Sequence, residues 1–303
     1  MTDRSDVHHR IAGAVVAMRE SGLEVAATAM GPSGTAAAQA VGVTGGTVRA
    51  ITAVLAPLGF AEIGPERGPG HPFVAYDAEA DRWLRLEVSV APGGGRRVAT
   101  GTGTVARAWQ RIRGAAHRRS LRVALLGPDG AGKSSLAAEL ARSLPIPVRR
   151  FYGGLYPVGR RQFRLRGLGT AATILRLWRT SARATVAGWL GRLVVFDRYP
   201  LDALVLLPEG AGRLHRWRAA LLARSCPRPD LVIVLDAPVA VLHERRREQA
   251  VDVLEAQRRR YADLARTTPG AVVVAATADI DGVRRRVTEA IWKAHAERRG
   301  AVP

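Results

Sequence analysis

Along the second two-thirds of the chain, short apolar runs alternate with longer stretches in which apolar residues return every three or four positions. The runs at 123–126, 148–152, 193–196, 231–235 and 271–275 predict buried strands. Between and after them the helical period predicts helices over 134–144, 169–190, 213–224, 239–248, 251–265 and 281–298. Strand and helix in this rhythm predict an α/β unit, a five-stranded parallel sheet flanked by helices.

Within 173–189, Ile174, Leu175, Leu177, Trp178 and Val186 mix with Arg176, Arg179 and Arg183. A helix with one face on the sheet and its arginines toward a phosphate cleft or solvent is expected there, in preference to a basic amphipathic membrane helix.

The front of the chain carries a different pattern. A helix is expected over 7–20 and a second over 47–58, ending at Gly59. A hairpin-like pair, 73–77 and 83–90, is joined by 78–81, and Leu84, Leu86 and Val88 alternate with Arg85 and Glu87 as a half-buried strand requires. The uncharged stretch 25–48 is built largely from Ala, Gly, Thr and Ser with Pro32 inside it, too weakly apolar to span a bilayer. An arginine-rich segment, 107–122, separates the halves. We place the boundary near Gly114, with a small α+β domain at 1–112 and the α/β domain at 113–303. Two domains suit a length of 303 residues.

Composition narrows the setting. One cysteine, Cys226, excludes an intramolecular disulfide and a multi-cysteine zinc site, and is expected to be a small buried residue. A polar first ten residues and weak hydrophobic stretches lead to the expectation of a cytoplasmic protein that does not associate with membranes. The formal charge is +20, and residues 1–110 hold ten arginines against ten acids, so the whole excess falls after them. That part is expected to handle phosphates or polyanions. The seven histidines show no metal-ligand spacing and read as surface or packing residues.

The chemistry concentrates in Gly127-Pro128-Asp129-Gly130-Ala131-Gly132-Lys133-Ser134, set between a strand and a helix. Glycines let successive backbone N–H groups turn around an anion, and the helix adds its positive end. Lys133 is expected on the outer phosphates of ATP and Ser134 on magnesium. Only two of 46 basic residues are lysine, and one occupies the position where a compact ammonium is needed. Asp197-Arg198-Tyr199-Pro200 closes a predicted central strand, where Asp197 can hold magnesium through water and Arg198 can clamp a phosphate. After the next strand, Arg245, Arg246 and Arg247 would lie over the same crevice.

The loop with Ser135, Asp197-Arg198-Tyr199, Pro229-Asp230-Leu231 to Leu235-Asp236, the arginine-rich lid and Tyr261 together resemble the thymidylate kinase family of P-loop nucleoside monophosphate kinases, over about 120–298. The resemblance implies ATP at the loop, with Gly127, Asp129, Gly130, Ala131, Gly132, Lys133, Ser134 and Ser135 binding it. It implies Asp129 on the acceptor's sugar hydroxyl, Arg198 on a phosphate, and Arg245 reaching the adenine or phosphates from the lid. Lys133, Asp197, Arg198, Arg245 and Arg247 are the candidate catalytic set, and Ser134 and Asp197 the magnesium ligands.

The chain departs from the family after the second strand, where Phe151-Tyr152-Gly153-Gly154-Leu155-Tyr156-Pro157 replaces an acidic-proline segment. Phe163, Arg164, Trp178 and Arg179 are the candidates for base recognition. The lid pattern resembles a divergent two-domain branch whose front half looks like a worn nucleotidyltransferase, with Glu87 as a remnant carboxylate; an unrelated front fold is the equal alternative.

The expected activity is ATP- and magnesium-dependent transfer of the γ-phosphoryl to a nucleoside monophosphate, dTMP-like, or a related small acceptor. Asp129 or Asp197 would serve as base if that acceptor were a neutral hydroxyl. The alternatives are a nucleic-acid-associated ATPase or polynucleotide end kinase, disfavoured for want of an aromatic platform, and a non-catalytic nucleotide-binding regulator. A homodimer is left open.

Overall fold

The computed structural model describes residues 3–31, 37–44, 46–63, 70–91, 120–155, 168–207, 210–245, 250–276 and 279–300. The chain forms two compact units, Met1–Arg118 with Thr288–Pro303, and Arg119–Val287. The grouping of the last sixteen residues with the first unit differs from the continuous 113–303 domain expected from sequence.

In the first unit, α1 (Asp3–Glu20) is followed by β1 (Glu24–Gly31), β2 (Ala37–Thr44), α2 (Val48–Leu55), β3 (Ala61–Glu62), β4 (Gly70–Asp77) and β5 (Arg82–Ala91). The strands order β1-β2-β5-β4-β3. β2 and β5 run parallel, and the other pairs are antiparallel. Thr47 starts α2 by accepting the Ala50 N–H on its hydroxyl at 3.2 Å. Gly59, at φ +82°, ends the following turn in the left-handed conformation that glycine adopts without strain. Ile11, Ala14 and Met18 recur at helical spacing on α1 and are buried with Ile51, Leu55, Leu84, Leu86 and Val88. The alternation expected on β5 is therefore present. The pairing of β1 with β2 was not expected, because alanine and glycine make up half of 25–48 and no aromatic residue stands there.

The last helix contributes Trp292 to this unit. Its indole N–H donates to Gly59 O at 3.1 Å and Val74 O at 3.0 Å, and its ring meets Trp83 edge-on at 4.7 Å.

The second unit holds β6 (Arg122–Leu126), α3 (Lys133–Ser143), β7 (Val148–Tyr152), α4 (Leu168–Trp189), β8 (Leu193–Asp197), α5 (Asp202–Val205), α6 (Arg213–Arg224), β9 (Leu231–Asp236), α7 (Val239–Arg245), α8 (Val251–Thr267), β10 (Ala271–Ala275) and the start of α9 (Ile280–Gly300). All strand pairs are parallel, in the order β10-β9-β6-β8-β7. The expected five-stranded parallel sheet with flanking helices is thus observed. One correction concerns burial. β6, β8 and β9 are buried, but β7 and β10 are edge strands with exposed positions, so they are not the buried strands expected.

The chain begins on the central strand, builds outward to β7, returns through β8 and then crosses to β9. Its direction switches beside β6, where open parallel sheets place their ligand crevice. Register aligns Leu125 with Asp197 and Leu126 with Val234, bringing the C-terminal ends of the three central strands together. No helix among the described residues is long and apolar enough to cross a membrane. Cys226 is buried in the core beneath α4 and α8, as expected.

Candidate functional site

The glycine-rich loop leaves β6 through Gly127, at φ +139°. A Cβ there would lie 2.6 Å from Leu235 O on the neighbouring strand, so close backbone packing as well as the dihedral demands glycine. Gly130 and Gly132 also have positive φ, 89° and 87°. Lys133 opens α3, and its buried Nζ donates to Gly127 O at 2.8 Å and Pro128 O at 2.6 Å. The ammonium thus braces the loop from within. Ala131 is buried beside it, and Ser135 is exposed on the first turn of α3.

Ser134 donates its hydroxyl to Asp197 Oδ2 at 2.5 Å, bringing the two expected magnesium ligands into contact. Both groups offer oxygen, the donor type that suits magnesium. Asp197 ends β8, and the next residue, Arg198, takes a left-handed φ of +67° while its N–H donates to Leu125 O at 3.1 Å. Its guanidinium pairs with Asp129 on the loop and, at 3.4 Å, with Asp202. Asp129, expected on an acceptor hydroxyl, is therefore engaged with Arg198 here.

Asp202 was not foreseen as part of the site. It is 1% exposed and accepts the Tyr261 hydroxyl at 2.9 Å. Burial pushes its carboxyl above the usual range, against the opposing pull of Arg198 and Lys133. Tyr261 in turn is raised, by burial first and by Asp202 next. The available signal was the four-residue spacing from Arg198 to Asp202, which returns a side chain to the same face.

The loop after β7 closes against this group. A Cβ on Gly153 would fall 2.5 Å from Arg198 O, which requires glycine at that crossing. Tyr152 is raised by burial and then by Asp197. Arg176 of α4 donates to Gly154 O at 2.5 Å and Leu155 O at 3.1 Å, fixing the segment that follows.

Arg245, at the end of α7, donates to Gly130 O at 3.1 Å, so the structure brings it to the glycine-rich loop. Arg247 lies outside the described residues, as do Phe163 and Arg164. Arg258 was unassigned by sequence within its arginine run. It grips Asp236 through two bonds, of 2.5 and 2.9 Å, which raise its pKa and tie α8 to the end of β9. Trp178 and Arg179 are exposed, and the Trp178 indole donates to Ser225 O at 2.7 Å. In the first unit, Glu87 is paired with Arg85 at 3.0 Å. His71 pairs with Glu62 at 2.9 Å, and His295 is buried.

Fold and loop together describe an α/β unit with a glycine-rich loop at the switch point of a parallel sheet. No protein-family model matches the chain, and no curated protein does. Among solved structures it is similar to a thymidylate kinase from Candida albicans, with TM-score 0.41 and 16% identity over 56% of this chain and 90% of that one.

Proposed function

We propose that the second unit is an ATP- and magnesium-dependent phosphotransferase that moves the γ-phosphoryl of ATP to a nucleoside monophosphate, dTMP-like, or a related small acceptor. The observation that carries this reading is the 2.5 Å contact between Ser134 on the loop helix and Asp197 on the adjacent central strand. A phosphotransferase needs oxygen ligands for magnesium beside the β- and γ-phosphates, and this pair supplies them.

In this reading Gly127, Gly130, Ala131 and Gly132 present backbone N–H groups to the triphosphate, with Asp129 and Ser135 at the ends of the cradle. Lys133 exchanges its carbonyl partners for phosphate oxygens. Ser134 and Asp197 would hold magnesium, which supplies charge neutralisation across the transferring group. Arg198, steadied by Asp202, is turned toward the space beside Asp129 and would clamp the acceptor phosphate. Arg245 approaches from the lid side, and Arg247 is proposed to join it. An acceptor that is already a phosphate dianion requires no general base, so catalysis is positioning and charge stabilisation.

A coupled assay of ATP turnover against nucleoside monophosphates, nucleosides and sugars tests the proposal. Turnover should appear with a monophosphate acceptor and vanish in Lys133→Ala. Silence with every acceptor, from protein shown to be folded, would refute it.

A further inference from the structure

The second unit holds a cavity of about 480 Å³, inside the range of about 300–1,000 Å³ that small-molecule sites occupy. It lies at the N-terminal ends of β9 and β10, where Asp230 and Gly270 line it. Gly127 and Asp197 stand at the opposite ends of their strands, so the length of β9, about 17–20 Å, separates this cavity from the glycine-rich loop. The two places are distinct.

Its apolar wall comes from three elements: Ala220 and Ala223 on α6, Leu264 on α8, and Leu201 with Leu204 at α5. The polar rim is held in place by the chain around it. Pro227 and Pro229 restrict the backbone on either side of Arg228, and the Tyr199 hydroxyl donates to Pro227 O. Asp230 then exchanges two bonds with Arg122, donating its N–H to Arg122 O and accepting the Arg122 N–H on Oδ2, each at 2.8 Å. From the facing side, Gly270 takes a φ of +71°, and a Cβ there would fall 3.0 Å from Asp230 O. The turn before β10 therefore rests directly on the segment that carries Arg228. Such a rim needs little ordering when a ligand arrives.

Charge decides what that ligand is. Arg198, Arg258 and Arg266 in the same unit are each paired with a carboxylate. Arg224 and Arg228 line the cavity and have no hydrogen-bond or ion-pair partner among the described residues. Asp230 is the one acid in the lining, and its carboxylate is already engaged by the Arg122 N–H. Two guanidiniums thus face an apolar wall across one cavity, an arrangement that suits a planar anionic group joined to an apolar body. No histidine or cysteine lines it, so the chemistry on offer is binding.

We propose that this cavity is a second ligand site, taking a small organic anion whose carboxylate or phosphate meets Arg224 and Arg228 while its apolar part lies against Leu201, Leu204 and Leu264. The proposal goes beyond the phosphotransfer reading and does not depend on it.

Calorimetric titration of the full chain without nucleotide tests it, with naphthalene-1-acetate as the probe. The neutral 2-(1-naphthyl)ethanol and plain acetate each keep one half of its chemistry. Naphthalene-1-acetate should bind with a Kd of about 1 mM or tighter, the alcohol at least about tenfold more weakly, and acetate without measurable heat. The double variant Arg224→Gln, Arg228→Gln changes two exposed, unpaired side chains and should keep the wild-type melting temperature. It should lose at least about tenfold in affinity for naphthalene-1-acetate and none for the alcohol. Ala220→Phe, which fills the apolar half, should weaken both. Lys133→Ala should bind the probe as the wild type does, which separates this site from the glycine-rich loop. Absence of saturation below about 10 mM would overturn the proposal, as would equal affinity in the double variant or loss of binding in Lys133→Ala.

Discussion

The two glycines Gly127 and Gly132 sit five residues apart in one loop, yet alanine should cost very different amounts at each. Both have positive φ, +139° and +87°. At Gly132 a Cβ meets nothing within 4 Å, so Gly132→Ala carries only the left-handed strain, about 1–2 kcal/mol. At Gly127 the added Cβ meets Leu235 O at 2.6 Å and Leu235 N at 3.3 Å, both backbone atoms of a buried central strand that cannot rotate away. Backbone strain of about 1–3 kcal/mol is then joined by overpacking of about 1–3 kcal/mol. The excess cost at Gly127 is about 2–3 kcal/mol, which in a unit of this size lowers the melting temperature by roughly 4–12 °C more than Gly132→Ala does. Thermal melts of the two variants, followed by circular dichroism without nucleotide, make the comparison. Equal melting temperatures, or a larger loss at Gly132, would refute the close approach of the loop to β9.

Three further outcomes are expected. Ser134→Ala should shift the magnesium titration of ATP turnover to higher concentration while leaving the melting temperature nearly unchanged, since the Ser134–Asp197 contact is exposed; an unaltered titration removes the pair from the metal site. Asp202→Ala should destabilise the second unit by about 1–3 kcal/mol, because it strips the buried Tyr261 hydroxyl of its acceptor, with Asp202→Asn costing less; chemical denaturation separates them, and identical midpoints would contradict the buried bond. His295 is lowered from 6.5 to about 3 by burial, then by Arg299 and Arg298. A histidine that binds its proton less readily when folded contributes stability present above pH 6.5 and lost as pH falls toward about 3. His295→Leu should flatten the decline in melting temperature over that interval, and an unchanged pH profile would show that another group causes it.

The parallel sheet was legible because its strands are apolar runs separated by helical periods, and α6 begins and ends where the pattern placed it. What escaped was structure held by backbone pairing. Between Glu24 and Thr44, alanines and glycines blur the alternation, which survives only at Val41 and Val43, although the strands pair along nearly their whole length. Exposure of β7 and β10 was misjudged because an apolar run does not reveal whether it has one neighbour or two.

At the site, Lys133, Ser134, Asp197 and Arg198 came from short motifs whose spacing is local, and the fold brings them together. Asp202 escaped although Arg198 stands four residues before it, because its burial and its bond to Tyr261 depend on the fold, and Arg258 escaped because Asp236 is distant in sequence. Arg258 is one arginine among three in a row, and only the fold singles it out to face Asp236.

The placement of Trp292 has a consequence for synthesis. The aromatic group that includes Tyr76 and Trp83 gains its third ring from a residue made long after the other two. At roughly 5–20 residues per second, translation from residue 118 to residue 292 takes on the order of ten to thirty-five seconds. Throughout that interval the first unit exists without its final segment, and the Gly59 and Val74 carbonyls wait for their donor. The part of the first unit before residue 118 should accordingly gain full protease resistance only after Trp292 has emerged from the ribosome.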